Sequence, residues 1–140
     1  MKRYVTDANV IFSCLISGRE EYLKAFTENK FYLPDFALVE IQLYQSEILK
    51  KTKLPQERLK EFTLSLFDAL VVVPNLLIST RQYLQAFQLC KDIDEKDTAY
   101  VALTLELEVA LLSKDEELIE GLRAKGFTKV ISLQEFFDGL

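Results

Sequence analysis

The chain contains no histidine, and this absence excludes several classes of functional site. Without an imidazole, a Ser-His-Asp or Cys-His mechanism is excluded, and so are the zinc sites that depend on histidine ligands. A metal ion would have to be held by oxygen ligands, which favour hard cations such as Mg²⁺ or Mn²⁺.

Cysteine is almost as scarce, because Cys14 and Cys90 are the only two. Both lie in apolar segments with a helical pattern, and their spacing is not that of a metal site, so we expect reduced thiols in a core. No apolar run reaches the roughly 18 residues of a membrane helix. Asp7 and Asn9 interrupt the stretch where a signal peptide would be apolar. We therefore expect a cytoplasmic protein with no membrane partner.

Glycine and proline are few, at 4 and 3 residues, while 49% of the chain is hydrophobic and 28% is charged. This composition excludes disordered, collagen-like and linker-rich chains. The length fits a single domain over residues 1–140, which can bury a core without disulfides or a structural metal. The net charge of −5 disfavours non-specific coating of DNA, but it permits a nucleic-acid enzyme whose acids are neutralised by metal.

Short apolar runs alternate with amphipathic helical patterns along the chain. We predict strands at residues 2–6, 31–33, 70–73, 109–112 and 129–131. Helical patterns cover residues 9–17, 19–28, 35–51, 56–70, 80–90, 95–107 and 114–124, and a last helix follows Ser132. Capping boxes are predicted at three helix starts, formed by Ser79 with Gln82, Ser113 with Glu116 and Ser132 with Glu135. The strands are short and apolar on both sides, which is typical of a parallel sheet covered by helices on both faces.

Four acidic residues from distant parts of the chain lie near predicted strand ends. Asp7 directly follows the first strand, and Asp115 follows the fourth. Glu40 lies in the second turn of the helix after the second strand, and Asp97 lies in the first turn of the helix that leads into the fourth. Ligands of parallel α/β sheets bind beyond the carboxyl ends of the strands, so we expect all four carboxylates at one edge. Such a cluster repels itself unless a cation neutralises it or some protons are retained.

A carboxylate cluster without histidine has the ligands that an Mg²⁺-dependent phosphodiester hydrolase requires. One or two ions held by these oxygens would bind the phosphate, lower the pKa of an attacking water and stabilise the leaving oxygen. Asn9, two residues after Asp7, could hold that loop in place through its side-chain amide.

Each acid also has a purely structural interpretation. Capping alone would explain Asp94 as an N-cap with Asp97 three residues later, and Asp115 would interact favourably with a helix dipole. Glu40 would by default be a solvated surface residue, but it borders the apolar stripe that we expect to be buried, formed by Leu38, Ile41 and either Tyr44 or Ile48. Asp7 has the least structural reason for its position.

Four segments resemble the PIN domain, the ribonuclease fold of the VapC-like toxins and their relatives, and they occur in the family's order. They are VTDANVIFSCL (5–15), LPDFALVEI (33–41), DEKDTAYVALTLEL (94–107) and LLSKDEEL (111–118). The resemblance covers essentially the whole chain. It implies a three-layer α/β/α sandwich with a central parallel sheet of four to five strands, and metal-dependent endoribonuclease activity. The chain departs from the family's usual small residues after the third acid, where it carries Tyr100 and Val101.

The resemblance also implies roles for individual residues. The catalytic acids and ligands of Mg²⁺ or Mn²⁺ would be Asp7, Glu40, Asp97 and Asp115. Asp94 is close enough in sequence to be a further ligand, and Asn9 and Ser113 would support the site. The implied substrate is RNA, and the implied partners are an antitoxin protein and a second copy of the chain. Phe136 and Phe137 would pack either in the core or in an oligomer interface.

A group of cationic residues is the best candidate for a rim that contacts RNA phosphates, namely Lys50, Lys51, Lys53, Arg58 and Lys60. The alternative is that these residues only solvate a helix face.

Other functions fit parts of the pattern. A phosphoaspartate enzyme of the haloacid-dehalogenase kind also has an Asp after its first strand, but it typically needs a second acid where this chain has Asn9. A receiver domain needs a phosphoacceptor Asp after its third strand, where the chain reads VVVPN (71–75). A non-enzymatic PIN-like module that binds a protein partner or RNA stays open, although retention of all four acids argues against it.

Overall fold

A five-stranded parallel sheet forms the centre of the computed structural model, which describes residues 1–139. The strands are β1 (Arg3–Thr6), β2 (Lys30–Pro34), β3 (Leu70–Val73), β4 (Ala110–Ser113) and β5 (Val130–Ser132). Their order across the sheet is β3-β2-β1-β4-β5, and every neighbouring pair is parallel. The prediction of a parallel sheet is confirmed. We predicted a single domain over residues 1–140, and residue 140 of that range lies outside the described residues.

Helices cover both faces of this sheet. They are α1 (Ala8–Ser17), α2 (Glu20–Glu28), α3 (Ala37–Leu43), α4 (Gln45–Lys51), α5 (Gln56–Asp68), α6 (Thr80–Cys90), α7 (Thr98–Leu107), α8 (Glu116–Ala124) and α9 (Leu133–Asp138). Two short 3₁₀ turns span Asn75–Leu77 and Glu95–Asp97. Right-handed crossovers place α1 to α5 on one face and α6 to α8 on the other, because the chain moves from β1 to β3 first and from β3 to β5 afterwards. The expected three-layer α/β/α sandwich is confirmed. Within residues 1–139, no helix has both the length and the apolar surface needed to cross a bilayer.

The core lies between the sheet and the two helical layers. Tyr4, Phe31 and Phe136 form an aromatic cluster with ring centroids 5.3–5.9 Å apart, so Phe136 belongs to the core. Cys14 and Cys90 are buried free thiols, as predicted.

The sheet order makes the junction between β1 and β4 the topological switch point. The chain leaves β1 towards β2 on one side, and β4 lies on the other side. The Asp7 N–H donates to the Leu112 carbonyl at 3.2 Å and ties the ends of these two strands together. Ligands of open parallel sheets bind at such a point.

The single helix predicted over residues 35–51 is wrong, because the chain breaks at Tyr44 into α3 and α4. The Tyr44 ring packs 4.9 Å from the Phe12 ring of α1, and α3 and α4 both contact α1. The break turns the two halves relative to each other, so Ile48 is buried as predicted while Leu38 and Tyr44 are exposed.

Two of the predicted capping boxes lie away from the acids. The one at Ser132 and Glu135 forms in full. Ser79 caps α6 by accepting from the Gln82 N–H at 3.3 Å. Its own N–H donates to Glu106 at 2.8 Å instead of to Gln82, because α6 packs against α7, the helix that carries Glu106.

Candidate active site

Asp7 lies at the turn between β1 and α1 with only 3% of its surface exposed. Its Oδ1 accepts a hydrogen bond from the Val10 N–H at 3.1 Å, and its Oδ2 accepts one from the Ser113 hydroxyl at 2.5 Å. The interpretation that Asp7 has little structural reason for its position is therefore wrong, since it is the N-cap of α1. The cap fixes the carboxylate at the carboxyl end of the central strand.

Ser113 ends β4 and connects two of the acids. It is fully buried, donates to Asp7 and accepts from the Asp115 N–H at 3.0 Å. The predicted capping box of Ser113 with Glu116 is wrong, because Asp115 caps α8 and accepts from the Leu118 N–H at 3.2 Å. Ser113 lies two residues before the N-cap position, because α8 begins at Glu116, and its hydroxyl oxygen accepts the Asp115 N–H.

Asp97 lies at the end of the 3₁₀ turn that precedes α7. Its side chain makes no capping hydrogen bond, and its Oδ2 is buried with no hydrogen-bond partner within residues 1–139. Asp94 caps the turn instead by accepting from the Lys96 N–H at 3.0 Å. Capping of the turn therefore accounts for an acidic residue at position 94, but it does not account for the one at position 97.

Glu40 lies in α3 and is held from the opposite helical layer. The Tyr100 hydroxyl of α7 donates to Glu40 Oε1 at 2.5 Å. Burial and then the Glu40 carboxylate raise the pKa of Tyr100, so that its hydroxyl is a donor at neutral pH. Sequence reasoning recorded Tyr100 only as a departure from the family pattern. The available signal was its position three residues after Asp97, which places both on one face of a helix.

Two carboxyl groups of this cluster, those of Asp7 and Asp97, have raised pKa values. Burial, and then the charges of Asp94, Asp7, Asp115 and Glu40, raise the pKa of Asp97 to about 7. Burial raises the pKa of Asp7 to about 6, and the nearby Asp115 charge adds to this while the hydrogen bonds from Ser113 and Val10 oppose it. The structure thus brings the four predicted acids into one electrostatic cluster, with Asp94 beside it.

The donors of this cluster suit a hard divalent cation. All are carboxylate oxygens, and the unpartnered Asp97 Oδ2 is a buried oxygen that lacks a positive or hydrogen-bonding neighbour. Among residues 1–139, no three acidic side chains lie close enough together to hold a metal ion in their present positions. The residues fit a divalent ion by charge and donor type.

Two further polar residues flank the cluster. The Asn9 side chain is exposed and makes no hydrogen bond in the described chain, while its backbone N–H points at Asp7. Lys114, which sequence reasoning missed although it stands between Ser113 and Asp115, donates to the Ser13 hydroxyl of α1 at 2.7 Å. Lys114 also lines an open groove of about 920 Å³.

The predicted cationic rim lies farther away. The Lys53 N–H donates to the Ile16 carbonyl at 2.9 Å, near the C-terminal end of α1. Ile16 is nine residues beyond Asp7, about 13 Å along a helix. Lys51 pairs with Glu47, and Arg58 pairs with Glu20 and Glu61. The structure does not bring these residues to the acids, and their role as an RNA rim stays a prediction.

Known proteins show the same architecture. The crystal structure of PAE2754 from Pyrobaculum aerophilum matches with a TM-score of 0.64 over 96% of this chain and 86% of that chain. The two sequences are 9% identical, so this match shows a shared fold. No curated protein sequence matches the chain. A family model described as PIN domain matches residues 5–134, and PIN domains are generally nucleases that act on RNA and typically use divalent metal ions. The fold and the match over nearly the whole length together show that the chain belongs to the PIN domain family.

Proposed function

We propose that the chain is an Mg²⁺- or Mn²⁺-dependent endoribonuclease that hydrolyses RNA phosphodiester bonds. The observation that carries this proposal is the buried Asp97 Oδ2, which has no hydrogen-bond partner in the described structure and lies among other carboxylates. A buried carboxylate of this kind is stabilised only by a cation or by a proton. In a chain of a nuclease family, a divalent cation is the occupant that the donor set favours.

The ligands of this ion would be Asp7, Glu40, Asp97 and Asp115, with Asp94 as a further ligand. When bound, Mg²⁺ or Mn²⁺ supplies neutralisation of the phosphate charge and activation of a water molecule. The chain's own groups orient the ligands. The Ser113 hydroxyl and the Val10 N–H hold both oxygens of Asp7, and the Leu118 N–H holds one oxygen of Asp115. This preorganisation supports catalysis because the carboxylates need little reorientation when substrate arrives.

Lys114, next to Asp115 in sequence, is a cation that would contact the RNA backbone beside the acids. Its ammonium group is exposed and held by Ser13 on the α1 side of the site. A phosphate contact there would position the strand without reading its sequence.

The cellular role is part of the proposal and rests on the family resemblance. We infer the toxin of a toxin-antitoxin pair, or a related PIN nuclease, as a single domain over residues 1–140 in the cytoplasm. An antitoxin protein and a second copy of the chain are its proposed partners.

The test is cleavage of structured and unstructured RNAs with and without Mg²⁺ or Mn²⁺. Asp97→Asn should lower kcat/KM at least about 100-fold, or roughly 3 kcal/mol in transition-state free energy, because it removes a ligand charge. Asp92→Asn is the matched control, since Asp92 is exposed and pairs with Lys125 outside the cluster. Equal cleavage by wild type and Asp97→Asn would reject the assignment.

A catalytically inert PIN-like module that binds a protein partner or RNA is the second candidate. It is favoured by the absence, within residues 1–139, of three acids that already converge as a metal site. Thermal stability separates the two, because Mn²⁺ at 100 times its dissociation constant would add about 2.7 kcal/mol to the free energy of unfolding. An equal melting temperature with and without millimolar Mn²⁺ would favour the inert module.

A further inference from the structure

Tyr100 connects the two helical layers across the candidate site. Its side chain is 2% exposed, and its hydroxyl donates to Glu40 Oε1 at 2.5 Å, between residues 60 positions apart in sequence. A hydrogen bond to an ionised carboxylate is shorter and roughly twice as strong as a neutral one. This contact is therefore a strong restraint on the Glu40 side chain.

Glu40 needs such a restraint because its helix is weakly anchored. Helix α3 has seven residues, and of these only Ala37 is fully buried. Leu38, Val39 and Leu43 of the same helix are 40–76% exposed. Ile41 is partly buried against the core, so Ala37 and Ile41 are the side chains of α3 whose core packing fixes its rotation and the direction of its glutamate.

Tyr100 supplies contacts at two points of this segment. Besides its bond to Glu40, its ring lies 5.1 Å from the ring of Phe36, the residue that precedes α3. Tyr100 itself is held firmly, since its neighbours Ala99 and Val101 on α7 are buried. The helix that begins directly after Asp97 thus also carries the group that orients Glu40.

The arrangement repeats a feature of Asp7. The Ser113 hydroxyl at the end of β4 donates to Asp7 Oδ2, also at 2.5 Å, and the Tyr100 hydroxyl donates to one oxygen of Glu40. Each carboxylate is held through one oxygen by a buried hydroxyl from a distant segment. For Glu40, this leaves Oε2 as the oxygen that can turn towards Asp97.

We propose that Tyr100 is a positioning residue that fixes the Glu40 carboxylate in the orientation that a divalent cation requires. This role rests on the proposed function, because it presumes that Glu40 is a metal ligand. Tyr100 acts through Glu40 and touches neither the ion nor the RNA.

The test compares Mn²⁺ affinity, measured by calorimetry without RNA, for wild type and Tyr100→Phe, which removes one oxygen. Loss of a group that orients a metal ligand typically weakens metal affinity about 10–100-fold. We expect this loss for Tyr100→Phe, while the metal-free protein still unfolds cooperatively at a melting temperature a few degrees lower, because one hydrogen bond to a carboxylate is lost. Tyr4→Phe is the matched control, because Tyr4 is a buried tyrosine in the aromatic cluster near the start of β1. Its Mn²⁺ affinity should equal that of wild type.

A double-mutant cycle with Glu40→Ala tests whether Tyr100 acts through Glu40. Once Glu40 is gone, Tyr100→Phe should have no further effect on Mn²⁺ affinity. Unchanged affinity in Tyr100→Phe alone, or an equal loss in both backgrounds, would overturn the role of Tyr100 while leaving the metal site intact. A wild-type protein that binds no Mn²⁺ would overturn the proposed function and this inference together.

A measurement on the wild-type fold keeps the inference testable if Tyr100→Phe does not fold. In protein labelled with ¹³C at tyrosine Cζ, the Tyr100 resonance should shift on addition of Mg²⁺, and this shift should be absent in Glu40→Ala. A Tyr100 resonance that does not respond while Mg²⁺ raises the melting temperature would overturn the inference.

Discussion

The Ser113 hydroxyl donates to Asp7 Oδ2 at 2.5 Å across 106 residues of chain, and it accepts the Asp115 N–H at 3.0 Å. One buried hydroxyl thereby joins the ends of β1 and β4 and sets the spacing between two acids of the cluster. The same atoms serve the fold and the candidate site, because Asp7 and Asp115 also cap α1 and α8.

Ser113→Ala should therefore weaken both stability and metal binding. The substitution leaves a buried Asp7 oxygen and the Asp115 N–H without this partner, which costs about 1–3 kcal/mol of unfolding free energy. Chemical denaturation of the metal-free protein measures this loss, and Mn²⁺ calorimetry measures the loss of affinity. Ser46→Ala, at an exposed position of α4, is the control and should change neither quantity. Wild-type stability in Ser113→Ala would mean that the hydroxyl does not hold the two strand ends together.

The metal-free protein should lose stability as the pH rises from about 4 to about 7. An unfolded Asp releases its proton near pH 4, whereas in the folded protein the pKa of Asp7 is about 6 and that of Asp97 is about 7. In this window the folded state holds protons that the unfolded state has lost, so the free energy of unfolding falls with rising pH. Melting temperatures in EDTA across this range, for wild type and Asp97→Asn, isolate the contribution of Asp97. Parallel pH profiles for the two proteins would contradict a raised pKa at this residue.

Asp97→Asn should stabilise the metal-free protein above neutral pH. It removes one negative charge from a buried group that faces four other carboxylates. The gain should appear as a higher melting temperature in EDTA, and Mn²⁺ should then stabilise wild type more than the variant. Asp92→Asn loses an ion pair with Lys125 and should show no such gain. A lower melting temperature for Asp97→Asn in EDTA would indicate that Asp97 is structurally required.

Lys114→Gln should raise the KM for RNA and reduce the dependence of binding on salt. Removing one phosphate contact reduces the slope of log affinity against log salt by about 1. Lys50→Gln is the control, because Lys50 lies in α4 and belongs to the predicted rim, which is held near the far end of α1. Fluorescence anisotropy with labelled RNA over a salt series measures both variants. A reduced slope in Lys50→Gln alone would assign RNA binding to the rim that the sequence predicted.

The parallel sheet and its two helical layers could be predicted from the sequence, because short Val-rich strands alternate with amphipathic helices. The positions of Asp7 and Asp115 follow from that alternation, since Asp7 comes directly after β1 and Asp115 comes two residues after the end of β4. The break at Tyr44 could not be predicted in this way. Residues 37–51 contain no proline or glycine, and the contact of Tyr44 with Phe12 at the break is a tertiary contact with no local signal.

Local capping patterns were ambiguous for a related reason. Ser113 and Asp115 are both good N-cap residues, and sequence alone does not decide between them. The start of α8 at Glu116 makes Asp115 the cap, while the Ser113 hydroxyl at the end of β4 donates to Asp7, which follows β1. The bond from Tyr100 to Glu40 is equally non-local. The resemblance therefore indicated the acids and Ser113 as a supporting residue, but not the Tyr100 hydroxyl.

The central claim is that Asp7, Glu40, Asp97 and Asp115 form one cation site at the junction of β1 and β4. A crystal soaked in Mn²⁺ and measured at the manganese absorption edge tests this claim most directly, because anomalous scattering locates the ion independently of the protein atoms. We predict a peak among these four carboxylates, in direct contact with Asp97 Oδ2, that is absent from crystals of Asp97→Asn. A fully occupied peak elsewhere, with none among the four carboxylates, would contradict the account.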